Sequence, residues 1–343
     1  MTVWDVETGN ALKSWPLADF AGDLRLSPSG ELLATVSGRM ITVWNVESGQ
    51  QLHHNAFAPE GYLSGATPAF SSDGQWLAVA AYGDRVLEVM DARTANVVSS
   101  LGGHQVGVRA LAFSPDSRWL ATAEGNWGKP EIRLWELPAG TVGKSLVASG
   151  VNYVIKALAF TDQGRTLLVH SEDARDAVVG LYGRQWITAL ETESGRELRK
   201  EAVRGEFRAF TADNGYATAN GGALAIWRTA APAVTASVSA SGTNVPVAAA
   251  SPSQPVCKIT ESTADVRPEI VVQTGFRTSQ GRTSVGDMAL SPDGCWLATS
   301  DSSQPVTIWE VATGRRWRTL ETSASQLKFS PDGRWLAGSS GGV

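Results

Sequence analysis

The run Ser330–Ala337 reads SPDGRWLA, and the same eight positions return as SPDGCWLA at 291–298, SPDSRWLA at 114–121 and SSDGQWLA at 71–78. SPSGELLA at 27–34 is a weaker copy, while TDQGRTLL at 161–168 and the stretch around Ala212–Gly215 are degraded ones. Measured at the Pro position, the marks fall at 28, 72, 115, 162, 212, 292 and 331, and Pro252 halves the double step between 212 and 292. A second marker is the turn in VWDVETG, VWNVESG and IWEVATG. Its Gly position falls at 9, 49, 95, 140, 195, 232, 275 and 314, with Ala95 and Pro232 replacing Gly in two copies. The sixth of the repeating units is read through Val272–Gly275, with Ile270 at its Trp position.

Each unit reads as four short strands. The first ends at the SPDG turn, the second carries WLA, the third carries the Trp before the TG turn, and the fourth is short, as in Arg316–Leu320. Strands of this length between Gly, Pro, Asp and Ser are ordinary strand and turn grammar. A four-stranded unit repeating at steps of 39 to 50 residues is the signature of a propeller blade. The chain starts at a third strand and stops after a second, so residues 1–15 and 323–343 are expected to share one blade, which covers edges that would otherwise be exposed.

The expectation is therefore all-β: a closed β-propeller of eight four-stranded blades in one domain, 1–343, with a blade shared between the termini. Residues 229–256 are rich in Ala, Ser and Pro and read by composition as a linker. The rulers place 229–284 as a degenerate blade; if the segment is an insertion instead, the blades number seven.

The third strand ends Trp4–Asp5, softened to Trp44–Asn45, Trp135–Glu136 and Trp309–Glu310. This ending, over eight aligned units, resembles the WD40 family. The resemblance implies a non-catalytic protein-interaction scaffold or sensor module, alone or within a larger multidomain protein. The alternative is an enzyme or small-ligand binder using the central channel. The family's Gly-His, Ser/Thr, Trp and Asp network is incomplete here. Gly103–His104 is the one Gly-His; His104 is placed to pair with Thr122 and Trp135, but Lys129 holds the Asp position. Apolar packing is expected to dominate between blades. Nine of the 13 tryptophans are accounted for as third-strand (4, 44, 135, 227, 309) or second-strand (76, 119, 296, 335) packing residues. Trp15 and Trp317 are expected to cover the rim from fourth strands.

Hydrophobic residues at 43% and charged residues at 18% suit a chain that buries a large core. A net charge of −5, with no Lys/Arg run, speaks against a broad nucleic-acid or anionic-lipid footprint. Cys257 and Cys295 form no close metal-type pair, so both are expected as thiols in a reducing, cytoplasmic setting. No apolar run approaches the length of a membrane span, and no leader is visible at the first residues.

The catalytic motifs fail on their context. Pro138–Ser145 imitates a phosphate loop, but Pro138 stands at its first Gly, and the segment joins two strands where such a loop must open a helix. His53, His54, His104 and His170 form no ligand spacing. A strand would point His53 and His54 to opposite faces. Glu172, Asp173 and Asp176 read as a solvated loop. No catalytic residue, cofactor or metal is expected.

The site expected is a protein or peptide interface on a monomeric domain. In the family, the SPDG and TG turns lie on the bottom, and the top carries the second-to-third strand loops and the connections between blades. Length variation gathers on the top. Blade three has Glu124–Pro130 there, with Trp127 and Lys129. Blade four has the stretch from Glu172 to about Gln185, with Tyr182 and Arg184, then Trp186. The connection into blade two, His53–Ser64, carries Phe57 and Tyr62. Consecutive blades put these residues on one sector, and aromatic and Arg side chains dominate binding hot spots.

Overall fold

The computed structural model describes residues 1–15, 23–37, 40–56, 67–80, 86–124, 131–147, 153–173, 184–203, 205–210, 216–220, 223–227, 270–273, 287–301, 304–330 and 332–339. Among them stand seven four-stranded antiparallel sheets. Sheet 1 comprises β3 (Asp23–Leu26), β4 (Leu32–Ser37), β5 (Met40–Asn45) and β6 (Gln51–Ala56). Sheet 2 comprises β7 (Thr67–Phe70), β8 (Trp76–Ala80), β9 (Leu87–Asp91) and β10 (Val97–Leu101). Sheet 3 follows as β11 (Val108–Phe113), β12 (Trp119–Glu124), β13 (Glu131–Glu136) and β14 (Thr141–Val147). Sheet 4 holds β15 (Tyr153–Thr161), β16 (Thr166–Asp173), β17 (Gln185–Glu191) and β18 (Glu197–Ala202). Sheet 5 holds β19 (Glu206–Phe210), β20 (Tyr216–Asn220), β21 (Ala223–Trp227) and β22 (Ile270–Gln273). Sheet 6 holds β23 (Asp287–Leu290), β24 (Trp296–Asp301), β25 (Gln304–Glu310) and β26 (Arg315–Thr319). Sheet 7 takes β27 (Ser325–Phe329) and β28 (Trp335–Ser339) from one end of the chain and β1 (Thr2–Asp5) and β2 (Ala11–Ser14) from the other.

The chain ends therefore share a sheet: Val3 pairs with Ala337 and Trp4 with Leu336. The sixth unit departs from expectation. Ile270 was expected in the third strand of its own blade, but Ile270–Gln273 pairs with Ala223–Ile226 and is the fourth strand of sheet 5. The described sheets number seven because that third-strand place already belongs to Trp227. Residues 228–269, including Pro252 and Cys257, lie outside the described residues.

The turn motifs explain themselves chemically. In SPDG the buried Ser71 hydroxyl donates to Asp73 at 2.5 Å and accepts the Trp76 N–H at 2.9 Å, while Asp73 takes the Gln75 N–H at 3.0 Å. The same three bonds recur at Ser114 and Ser291. Gly74 sits at φ 73°, a left-handed conformation open to glycine at no steric cost. At the other turn the residue after Trp acts as an Asx cap: the Asp5 carboxylate accepts the Thr8 N–H at 2.7 Å and its hydroxyl at 2.9 Å. Pro138–Ser145 is this turn followed by β14, so the phosphate-loop imitation lies in strand context.

The WLA motif is explained by packing. Each sheet faces two neighbours, so both faces of a second strand are buried and alternate residues serve different seams. Leu120 packs in the cluster shared with sheet 2 and Ala121 in the one shared with sheet 4. Leu297 and Ala298 divide in the same way between sheets 5 and 7. Seven such apolar clusters occur among the described residues, one for each pair of neighbouring sheets. The cluster between sheets 7 and 1 includes Trp15, 9% exposed, with its ring centroid 6.0 Å from that of Trp44. Trp15 was expected on the rim; it is core, its backbone N–H donating to the Met1 carbonyl oxygen at 3.0 Å and its ring packed with Met1 and Trp44. Trp317 does lie on the outer strand, half exposed, 5.2 Å from Trp296.

Polar networks between strands are partial. In sheet 3 the Thr122 hydroxyl accepts the Trp135 indole N–H at 2.8 Å and bonds His104 Nε2 at 2.9 Å, all three groups being buried. Among the described residues, sheets 1 and 6 show the Trp–Thr bond of this network, Trp44 to Thr35 at 3.1 Å and Trp309 to Thr299 at 2.8 Å. His53 and His54 lie in β6 and not in the connection beyond it. As the strand period requires, His54 turns to Thr42 at 2.8 Å while His53 reaches the Arg93 carbonyl oxygen of sheet 2.

Candidate functional site

Of the seven residues expected to bind a partner, Phe57, Tyr62, Trp127, Lys129 and Tyr182 lie outside the described residues. Arg184 and Trp186 are described. Arg184 is exposed, and its carbonyl oxygen accepts the Asp173 N–H at 2.8 Å, closing the ladder between β16 and β17.

Trp186 departs from expectation. It was read as an exposed loop tryptophan, but it is the second residue of β17, paired with Ser171 on one side and Ala202 on the other. The ladder extends this far because β16 continues to Asp173. Glu172 and Asp173, read as a solvated loop, are strand residues, and Asp173 is 6% exposed. The Trp186 ring is partly buried, and its indole Nε1 is buried with no hydrogen-bond partner. Lys200 of β18 places its ammonium 5.5 Å from the Trp186 ring centroid and 4.6 Å from that of Tyr153. Cations over aromatic faces at such distances are attracted by the ring quadrupole. The end of sheet 4 is thus an aromatic pair bracketing a lysine, beside exposed Arg184. Tyr153 and Lys200 were not foreseen, because nothing in sequence spacing brings a first strand and a fourth strand together.

On the same end of sheet 3, Glu124 was read as the start of a loop and is instead the last residue of β12, 4% exposed. Its carboxylate accepts the Gln105 N–H at 2.8 Å and lies 3.9 Å from Arg133, which also pairs with Glu131 at 2.9 Å. Hydrogen bonds from Arg133 and Ser145 hold the Glu131 carboxyl below its ordinary value. These charges are mutually satisfied, a structural network more than a reactive one.

Chemistry of other kinds finds little support in the described residues. No group of three His, Cys, Asp or Glu could hold a metal ion there. Cys295 is outside any disulfide, its Sγ 3.7 Å from the Asp293 carbonyl oxygen. No helix among the described residues is long and apolar enough to cross a membrane.

Comparison with known proteins agrees with this geometry. The family model for the WD domain, G-beta repeat, matches residues 95–136. The chain is 30% identical over 162 residues to a WD repeat-containing protein of Synechocystis sp., a match covering 47% of this chain and 41% of that protein. It is 29% identical over 158 residues to nuclear distribution protein nudF of Emericella nidulans, covering 40% and 34%. In neither case does the match reach half of the relative's length. Among solved structures, the RRP9 WD40 repeats superpose with a TM-score of 0.63 at 17% identity, over 100% of this chain and 92% of that one. The Cps50 (Swd1) β-propeller domain of Myceliophteria thermophila gives 0.63 at 13%, over 94% and 97%. At such identities the structures speak to the fold.

Four-stranded sheets packed face to face, each wedged between two neighbours, define the class of blade-built β-propeller proteins. The Trp4–Asp5 turn, the matched repeat and the WD-repeat relatives together liken this chain to the WD40-repeat family.

Proposed function

We propose that the chain is a non-catalytic interaction module: a single domain in which seven sheets complete a ring and the top of sheets 2 to 4 receives a protein or peptide. The observation that carries this reading is the end of sheet 4, where Trp186, Tyr153 and Lys200 gather beside exposed Arg184. An aromatic pair with cations on a rigid strand scaffold has the composition of a binding hot spot. Its neighbours in this proposal are Phe57, Tyr62, Trp127, Lys129 and Tyr182. The domain is read as monomeric and cytoplasmic, and its acidic balance favours a protein partner over nucleic acid.

The test is site-specific photocrosslinking in the native host, with the probe at position 184 or, as a control, at Gln75 in a bottom turn. Discrete adducts from 184 that are missing from 75 support the reading. Equal labelling from both positions, or none from 184, removes it.

A further inference from the structure

The seam between sheets 4 and 5 is built differently from the others. In the second strands of sheets 1, 2, 3, 6 and 7, the position after the WLA-motif Leu is Ala34, Ala78, Ala121, Ala298 or Ala337, and two residues further stand Val36, Ala80, Ala123, Ser300 or Ser339. In β16 these places hold Leu168 and His170. Leu168 lies in the apolar cluster of this seam. First strands lie side by side at β27/β3, β3/β7, β7/β11, β11/β15, β19/β23 and β23/β27, while among the described residues β15 and β19 approach least.

His170 fills this gap and is 4% exposed. Its ring stacks on Phe207 of β19, centroids 3.8 Å apart and planes at 24°, and Phe207 meets Phe210 edge-on at 4.9 Å. Nε2 donates to the Gln185 Oε1 at 3.2 Å, and the same oxygen accepts the Phe207 N–H at 3.3 Å. One amide therefore ties both sheets. The other ring nitrogen, Nδ1, is buried with no hydrogen-bond partner.

Among the described residues, the one carboxylate that favours a proton on the ring is Glu172, and the Lys156 ammonium opposes it. Glu172, two residues along the strand, is tied to Lys156 of β15 at 2.8 Å. On β18, Arg199 and Glu201 are the register partners of Ala189 and Ile187, and they face each other at 3.8 Å. Tyr216 of β20 is buried in the same cluster. β17 contributes Gln185, and the described β19 side chains are Phe207 and Phe210.

We propose that His170 makes the sheet 4–sheet 5 seam an acid-labile joint: protonation at Nδ1 opens this seam ahead of the others and releases Gln185, the residue beside Trp186. A proton on Nδ1 creates a buried donor with no acceptor, which water supplies only if Phe207 lifts away. Burial, the largest influence, lowers the imidazole to about 4, so the joint stays shut at neutral pH and loosens in acid. The joint rests on the packing of His170 alone and stands whether or not Trp186 meets a partner.

Hydrogen–deuterium exchange of the whole chain at pH 7 and pH 4.5, corrected for intrinsic rate, tests it. Peptides covering Thr166–Asp173 and Phe207–Phe210 should gain about tenfold in acid over the matching strands of sheets 1 and 2, as local opening demands. His170→Phe should abolish the excess. A uniform acid response across all sheets, or an unchanged excess in His170→Phe, overturns the joint. Should that variant fail to fold, the wild-type imidazole resonance decides: titration well below 6 supports the proposal, and titration near the ordinary 6.5 overturns it.

Discussion

The Arg318 guanidinium donates to the carbonyl oxygen of Thr8, its partner across 310 residues of sequence, and reaches the Glu7 carbonyl oxygen at 3.2 Å. Its stem lies over Gly9, where a Cβ would collide with it. The contact is one of a series in which the outer strand of one sheet holds the TG turn of the next. His53 donates to the Arg93 carbonyl oxygen, and the Ser99 hydroxyl to that of Pro138 at 2.5 Å. Sheet 6 thus grips a turn from the opposite end of the chain.

Removing residues 1–15 should therefore destabilise the domain severely. The deletion strips Val3, Trp4 and Trp15, exposed by 0%, 2% and 9%, from two seams, and each large side chain contributes about 1.5–3 kcal/mol. Thermal unfolding of the truncated chain should fall well below that of the parent. An unchanged midpoint would mean that sheet 7 is complete without its N-terminal half.

Thr122→Val should cost about 1–3 kcal/mol in urea unfolding, since it leaves the buried Trp135 indole N–H and the His104 Nε2 facing a methyl group. Thr35→Val removes one bond from a Trp that is less buried, and should cost less. Equal costs would show that the His104 bond adds nothing.

Trp186→Ala should both destabilise the protein and weaken the proposed partner by about 2 kcal/mol. The stability loss follows from its place in β17 under Lys200. Trp317→Ala, on a half-exposed ring, should cost less stability and leave partner binding intact. Binding unaltered in Trp186→Ala would move the interface elsewhere.

Lys328 on β27 lies among Arg25, Asp23 and Asp287 from neighbouring first strands, and burial, aided by Arg25, lowers its ammonium below the ordinary value. In the window between that lowered value and the unfolded one, the unfolded chain holds the extra proton. Stability therefore rises with pH through it, and the penalty is full below the lowered value. Lys328→Met should flatten the rise, read from urea unfolding between pH 7 and 10. A wild-type curve without the rise would contradict the assignment.

Local chemistry was the legible part of this chain. Ser71, Asp73 and Gly74 close a turn by bonds within five residues, so the motif carries its own structure. The outer edges were not legible. In six sheets the fourth strand bulges at the same place, skipping Leu12, Leu52, Val98, Gly143, Leu198 and Trp317. Such bulges blunt edge pairing. Leu, Val, Gly and Trp all fill this place, so no single residue type marks it. At position 143 the reason for glycine is visible in space, since a Cβ would strike the Trp119 ring.

The sequence alone determined the blade: its four strands, its turns, and the Leu and Ala that face opposite seams. Those features rest on hydrogen bonds and periodicity acting over a few residues. Tertiary structure decided the rest. It made Ile270–Gln273 the outer strand of sheet 5 and not the heart of another blade, because β21 had a free edge and only the three-dimensional arrangement brings that edge to β22. It also drew Trp15 into the core and Trp186 into a strand, and set His170 against Phe207. Contacts between sheets depend on which faces meet, and a repeat specifies every seam alike until particular side chains make one of them different.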